Sequence, residues 1–225
     1  MESKTLTLSI RQNDGYGYEL AYRLAREQLL KIDDIEQQCR KSGTQYIDSR
    51  KAITIEYLNQ SYLITLPDIQ ISLMGKEAEV PLRDKILILH YLTQAKGTPL
   101  SNQVITYKEL PEGSAYFPTF YQRTIKPLVN YFGNEPHRLL DMAKILAGHE
   151  ADYGDTAVTI NAFRRVPITL VLWKGDDEFA PEGNVLFDRT ISDYLPAEDI
   201  IVLSETTVRR IIKLLKAGGD NPDRN

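Results

Sequence analysis

Two neighbouring segments with strand-forming sequences constrain the fold more than any other part of the chain. Residues 156–163 alternate polar and apolar side chains, and residues 166–173 form an apolar run rich in β-branched residues. Only Arg164 and Arg165 separate the two segments, which is a spacing typical of an antiparallel hairpin. Because the second segment is apolar on both faces, we predict that it is an inner strand of a sheet and that it ends at Trp173.

Shorter strands and several helices are predicted around this hairpin. Apolar periodicity and turn residues predict strands over residues 52–58, 61–66, 69–73, 104–107 and 184–187, and helices over residues 18–40, 82–95, 119–132, 136–146, 196–202 and 205–216. Pro127 predicts a kink or two short helices, because proline removes a backbone hydrogen bond within a helix. Ser204 is predicted to cap the last helix, with Glu205 in its first turn.

The strands occur in local pairs and do not alternate with helices, which favours an α+β fold over a parallel α/β sheet. We predict an antiparallel sheet of short strands packed with about five to six helices. The length of 225 residues suits one domain, which we place at residues 1–216. Residues 217–225 are rich in Gly, Asp and Asn and are predicted to form a disordered tail.

Composition limits the compartment and the partners. The net charge of −4 gives no sign of the basic face with which proteins bind nucleic acid. Cys39 is the only cysteine, so no disulfide forms within the chain, and a reducing, cytoplasmic location is expected. Apolar runs such as residues 168–173 are far shorter than the about 20 residues of a membrane helix, so no membrane association is expected.

Sequence motifs do not decide whether the protein is an enzyme. The glycine-rich phosphate-binding motifs, HExxH and GxSxG are all absent. His90, His137 and His149 do not share a spacing typical of metal sites, and each fits a structural role in or beside a helix. A metal site that uses His137 and His149 would need partners from elsewhere in the chain.

The densest group of polar and aromatic residues follows the predicted inner strand. Asp176, Asp177 and Glu178 lie between Gly175 and Phe179, and Asp188 follows the next short strand. Carboxylates beside an aromatic residue suit a hard cation or a cationic or hydroxyl-bearing ligand.

Two further residues complete the predicted site. Trp173 offers a stacking surface, and Arg165 is a partner for a carboxylate or for an acidic ligand. We therefore predict a shared cavity lined by Trp173, Arg165 and the acidic loop (residues 175–178), with Asp176, Glu178, Phe179 and Asp188 as ligand-binding residues. The alternative is that Gly175 and Asp176 form an ordinary turn and that Asp188 caps the segment after it.

Several short motifs along the chain together resemble one family. They are Leu87-Ile-Leu-His90-Tyr91-Leu92, Thr124-Ile-Lys-Pro127-Leu128, Phe163-x-Arg165-Val166-Pro167, Trp173-x-Gly175-Asp176-x-Glu178-Phe179, Leu186-Phe187-Asp188 and Tyr194-Leu195-Pro196-x-Glu198-Asp199. With Arg164 in place of an expected proline, they resemble the domain-of-unknown-function family numbered 3786. Members of that family occur mainly in anaerobic bacteria and archaea, and some carry an iron–sulfur domain of the corrinoid-protein type. The chain lacks such a cysteine cluster and resembles the stand-alone form.

Three functions are compatible with these features. The resemblance implies the neighbourhood of anaerobic redox and corrinoid metabolism, which favours a binding or accessory domain for a corrinoid, haem or a redox or corrinoid protein. Candidate contacts are His90, Tyr91, His137 and His149, of which the histidines are potential axial ligands. The alternatives are a carboxylate-based, metal-assisted hydrolase or lyase and an interaction scaffold without a small-molecule site.

Overall fold

The computed structural model describes residues 17–219, which divide into two compact units. The first takes in the described residues up to Ile55 together with Gln60–Ala95, and the second takes in Glu56–Asn59 together with the described residues from Lys96 onward. Helices and antiparallel strands occur in local groups along the chain, so the predicted α+β class is confirmed. The single domain over residues 1–216 stays a prediction.

The first unit contains three helices around a small sheet in its described part. Its elements are α1 (residues 17–30), α2 (Ile35–Ser42), β1 (Gln45–Ile47), β2 (Ala52–Tyr57), β3 (Gln60–Thr65), β4 (Gln70–Leu73) and α3 (Leu82–Gln94). The strands lie side by side in chain order, β1-β2-β3-β4. The predicted hairpin of β2 and β3, the third short strand and helix α3 are therefore present close to their predicted bounds.

The predicted long helix over residues 18–40 is wrong, because the structure divides it into α1 and α2. The side chain of Asp34 caps α2 by accepting a hydrogen bond from the amide N–H of Gln37 (2.8 Å). Helix α2 ends before Gly43, which adopts a left-handed conformation (φ 70°) that suits a helix end. The break thus follows from an aspartate that satisfies the free N–H groups of a new helix.

Helix α3 is buried along most of its length, as its apolar sequence predicts. The hydroxyl of Tyr91 donates to the carbonyl of Ser42 (2.5 Å), and the amide of Gln38 donates to the carbonyl of Leu92 (2.8 Å). These bonds hold α3 against α2. Cys39 lies in the same core, and burial raises the pKa of its thiol, so the thiol stays protonated near neutral pH.

A five-stranded antiparallel sheet organises the second unit. The elements are β5 (Val104–Thr106), α4 (Gly113–Phe120), α5 (Lys126–Phe132), α6 (His137–Ile145), β6 (His149–Ala151), β7 (Thr156–Phe163), β8 (Val166–Trp173), β9 (Glu182–Asp188) and α7 (Ala197–Gly219). The strand order is β5-β9-β8-β7-β6, which makes β8 the central strand. The prediction of an inner, buried strand that ends at Trp173 is confirmed.

The helix predicted over residues 119–132, with a kink or a division into two short helices at Pro127, is divided, and its first part begins earlier than predicted. Helix α4 begins earlier, at Gly113, and Tyr121–Ile125 forms a wider π-type turn that leads into α5. Pro127 lies in the first turn of α5, where a missing N–H group disturbs no helical hydrogen bond. The irregular turn therefore precedes the proline.

The last helix is continuous, whereas two helices were predicted with Ser204 as the second cap. Ser204 lies inside α7 and donates to the carbonyl of Ile200 (2.7 Å). Glu205 is almost fully buried and forms ion pairs with Arg123 and Arg209. Helix α7 continues to Gly219, three residues into the predicted tail, and residues 220–225 lie outside the described part of the chain. No helix between residues 17 and 219 combines the length and the apolar character needed to cross a membrane.

Candidate functional site

The predicted site residues lie at the two opposite ends of the five-stranded sheet. Arg165 directly precedes β8 and Trp173 ends it, so about 26 Å of extended strand separates them. Asp188, at the end of β9, lies at the same end as Arg165, because Phe187 is opposite Ile168 in the antiparallel register. The expectation of one cavity lined by Trp173, Arg165, Asp188 and the acidic loop is therefore wrong.

A concave site is present at the Trp173 end of the sheet. The loop between β8 and β9 and the connection between α5 and α6 enclose a depression of about 420 Å³. Its lining consists of Gly133, Asn134, Lys174, Gly175, Asp176, Asp177, Glu178, Phe179, Ala180 and Pro181. Asp176, Glu178 and Phe179 all line this depression, and Trp173 precedes the loop at the end of β8.

Asp176 shapes the loop on which the depression depends. Its carboxylate accepts hydrogen bonds from the amide N–H groups of Phe179 (2.8 Å) and Glu178 (2.9 Å). These backbone hydrogen bonds, above all the one from Phe179, lower the pKa of Asp176. The turn chemistry proposed as the alternative thus applies to Asp176, while Asp177, Glu178 and Phe179 remain exposed around it.

Close backbone packing forms the wall of the depression. A Cβ atom at Gly175 would lie 2.7 Å from Cδ of Pro181, and one at Gly133 would lie 2.9 Å from the Pro181 ring. Neither position has room for a side chain without movement of the loop. Gly133 and Asn134 did not stand out in the sequence, although a Gly-Asn pair between two helices is a turn signal that marks a connection.

The turn between β6 and β7 lies beside the same end of β8. The amide N–H of Lys174 donates to the carboxylate of Asp155 (2.8 Å), and the amide N–H of Asp155 donates to the carbonyl of Leu172 (3.0 Å). A Cβ atom at Gly154 would lie 3.3 Å from the Trp173 ring. Tyr153, Trp173 and Phe179 leave 39%, 41% and 70% of their surface exposed. Sequence spacing gave no indication that Tyr153 lies near this loop.

At the opposite end, Asp188 has a structural role. Its carboxylate accepts hydrogen bonds from the backbone N–H groups of Ser101 (3.1 Å), Asn102 (2.7 Å) and Thr190 (3.0 Å) and from two hydroxyls. Burial favours a higher pKa, but the hydrogen bonds from Thr190 and Ser101 outweigh it and lower the pKa of Asp188. Arg165 interacts with the side chain of Tyr194 nearby. Both residues therefore hold loops together.

The predicted histidine ligands lie in different elements of the two units. His90 lies in α3 of the first unit, whereas His137 and His149 begin α6 and β6 in the second unit and are exposed. Tyr91 is buried and bonded to Ser42. Between residues 17 and 219, no three histidine, cysteine or acidic side chains are close enough to hold a metal ion. A metal site at His137 and His149 stays a prediction, and the described residues offer it no cluster of histidine, cysteine or acidic side chains.

The residues that line the depression do not fit a haem or a corrinoid. Such a ring needs a wide apolar slot and a donor atom for its metal, and histidine is the usual donor. The depression is lined largely by polar and small residues and includes no histidine. Among the aromatic residues between positions 116 and 132, Phe120 and Phe132 are buried in the core, while Tyr116, Tyr121 and Tyr131 are exposed.

Among the comparisons with known proteins, only a sequence model of a family matches the chain. A family model described as a domain of unknown function (DUF3786) matches residues 34–210. The match includes both units and every residue that lines the depression. No curated protein and no solved structure matches the chain.

Proposed function

The chain belongs to the DUF3786 family of domains of unknown function, and we propose that it is a binding domain whose ligand carries a positive charge. The depression between β8 and β9 is the proposed binding site. The observation that carries this proposal is the placement of two exposed carboxylates, Asp177 and Glu178, beside the exposed ring of Phe179 in one concave site.

The charges around the depression favour a cation. Residues 174–178 contain three carboxylates and one lysine, and the lowered pKa of Asp176 keeps its carboxylate ionised at neutral pH. An aromatic ring beside carboxylates attracts ammonium and guanidinium groups through its negative face. A volume of about 420 Å³ lies at the lower end of the range for ligand pockets, which suits a group the size of one amino acid.

The lining supports binding rather than catalysis. The residues that line the depression include no hydroxyl, thiol or imidazole side chain to act as a nucleophile, so an acid–base role there would rest on the carboxylates and Lys174. The carboxylates suggested for a hydrolase or lyase are divided, because Asp188 lies at the far end of β9 and is bonded to two loops. Asp176 is likewise bonded within its own loop.

A small pair of probes tests the proposal. Nα-acetyl-lysine methylamide carries the ammonium group, and Nα-acetyl-norleucine methylamide has a similar apolar side chain without it. Amide resonances of Gly175, Gly183 and Asn134 are followed by NMR while each probe is added. We expect saturable shifts with a dissociation constant of about 1 mM for the lysine probe and no saturation for the norleucine probe.

Matched variants connect this binding to the depression. The double variant Asp177→Asn with Glu178→Gln replaces both exposed carboxylates. It is expected to weaken the binding of the lysine probe by about tenfold or more. The control is Glu77→Gln with Glu79→Gln, which makes the same charge change at two exposed residues of the first unit. Equal weakening in both double variants would show that net charge, and not this site, attracts the probe, and the proposal would be wrong.

The tetrapyrrole suggested by the family resemblance has its own optical test. Haem or cobalamin is mixed with the purified protein, and the visible spectrum is compared with that of the free cofactor before and after gel filtration. We expect no shifted band and no retained cofactor, because no described histidine lines the depression. A shifted band that elutes with the protein would contradict the proposed cationic ligand and favour the cofactor.

A further inference from the structure

We propose that the ligand of this domain is a basic, extended segment of a partner protein, which docks across the Trp173 end of the five-stranded sheet. This inference rests on the proposed function, because the segment would place one of its cationic side chains in the depression. The docking surface consists of two loops, residues 152–155 and 173–179.

The aromatic residues of this surface are more exposed than a protein core or an ordinary turn requires. Tyr153, Trp173 and Phe179 come from two different loops and lie at the same end of the sheet, with Phe179 70% exposed. Tyrosine, tryptophan and phenylalanine are the side chains that protein interfaces favour, because they bury a large area at a small entropic loss. Their grouping on adjoining loops indicates an interface with a protein chain.

Charge complementarity identifies the kind of partner. Residues 152–155 and 173–179 contain five carboxylates and one lysine, which leaves a charge of −4, equal to the net charge of the whole chain. Negative charge is therefore concentrated at this end of the sheet. A partner rich in lysine and arginine is attracted to such a surface, whereas nucleic acids and anionic membranes are repelled.

The width of the surface requires a segment and not a single small cation. The two loops join β6 to β7 and β8 to β9, so the surface extends over four neighbouring strands. Three spacings between strands amount to about 14 Å. An amino-acid-sized ligand fills the depression but does not reach Tyr153, whereas an extended segment of about five residues contacts both loops.

The partner must also carry apolar side chains. Tyr153, Trp173 and Phe179 are interleaved with carboxylates along the two loops. A purely basic segment would leave the rings exposed, and a purely apolar segment would bury carboxylates without a partner, which is unfavourable. Lysine or arginine that alternates with leucine-like residues satisfies both requirements.

Trp173 provides a direct measurement, because it is the only tryptophan of the chain. The full-length protein is titrated with the acetylated, amidated hexapeptide Lys-Leu-Lys-Arg-Leu-Lys while the fluorescence of Trp173 is recorded. We expect saturable binding at least about tenfold tighter than that of the single lysine probe, and affinity that falls steeply between about 0.05 M and about 0.5 M salt. A peptide with glutamate at the basic positions is expected not to bind.

Single aromatic variants locate the peptide on both loops. Phe179→Ala and Tyr153→Ala are each expected to weaken the binding of the hexapeptide by about tenfold. Tyr18→Ala is the matched control, because Tyr18 is 42% exposed in α1 of the first unit. Of the two loop variants, only Phe179→Ala is expected to weaken the single lysine probe, since that probe reaches the depression alone.

The outcomes separate this inference from the proposed function. If the hexapeptide binds no better than the single lysine probe, or if Tyr153→Ala has no effect on it, the docking surface is wrong and the cation site stands. If the lysine probe does not bind and the hexapeptide does not change the Trp173 fluorescence, both are overturned.

Discussion

Asp188 joins three separate parts of the chain through one carboxylate. It accepts hydrogen bonds from the loop at Ser101 and Asn102 and from Thr190 in the turn that follows β9. A buried carboxylate with so many donors is stabilised in its ionised form, which explains the direction of its pKa shift. Asp176 uses the same chemistry on a smaller scale, within a single loop.

Replacing Asp188 tests this structural role. Asp188→Asn keeps the shape but loses the charge and part of the accepting capacity, so we expect a loss of about 2–4 kcal/mol in the free energy of unfolding at about pH 7. The measurement is urea unfolding followed by circular dichroism. A loss smaller than about 0.5 kcal/mol, the usual effect of surface substitutions, would contradict the role.

The pH dependence of the same variant gives a second check. Because the pKa of Asp188 is lowered by folding, its stabilising effect is present above the ordinary pKa of 3.8 and is lost as the pH falls through the folded-state pKa. The difference in stability between the natural protein and Asp188→Asn should therefore shrink between about pH 5 and about pH 2. A constant difference over this range would show that ionisation of Asp188 does not contribute.

At the level of whole elements, a helix begins where a polar side chain can accept hydrogen bonds from the free N–H groups of its first turn. Asp34 follows the non-helical segment after α1 and caps α2. Ser204 has a sequence that suits a cap, but it lies within α7, where its hydroxyl bonds back to the preceding turn. Packing of Val208, Ile211 and Leu215 in the core favours one continuous helix over an interruption.

These two residues give opposite predictions for the same kind of substitution. Asp34→Ala removes a real cap and is expected to lower the free energy of unfolding by about 1 kcal/mol. Ser204→Ala is expected to change it by less than about 0.5 kcal/mol, because alanine favours the helix and the carbonyl of Ile200 keeps its helical partner. Urea unfolding of both variants distinguishes them, and a larger effect at Ser204 would contradict the continuous helix.

At the level of the whole molecule, the described residues form two compact units, each with its own antiparallel sheet. Both units contain fully buried residues, such as Ile88 in α3 and Leu170 in β8. The sequence alone predicts one domain over residues 1–216. That prediction concerns cooperativity, because a single domain unfolds in one transition that every probe reports identically.

Two probes and two core variants test cooperativity. Trp173 fluorescence reports on the second unit, while circular dichroism reports on the helices of both. Leu170→Ala and Ile88→Ala each create a cavity and are expected to lower stability by about 2–5 kcal/mol. For a single domain, each variant shifts both probes equally. Separate transitions, with each variant shifting only its own unit, would show two domains. Leu24→Ala, at an exposed residue, serves as the control.

Most of the local structure follows from the order of the residues. Periodicity and turn residues are local properties, so the α+β class, the bounds of β7 and β8 and the buried helix α3 were all predictable. The length of β8 also sufficed to place Arg165 and Trp173 at opposite ends, since an extended chain advances about 3.3 Å per residue. A cavity lined by both residues is incompatible with that distance.

Which loops lie together depends on the folded arrangement of the strands and helices. Gly154 lies close to the Trp173 ring because β6 and β7 pair next to β8, and Gly133 closes the depression because α5 packs near Pro181. Strand order and helix packing depend on contacts between residues far apart in the chain, and many arrangements satisfy the same local patterns. The candidate site is formed by such contacts, so its lining became known only with the fold.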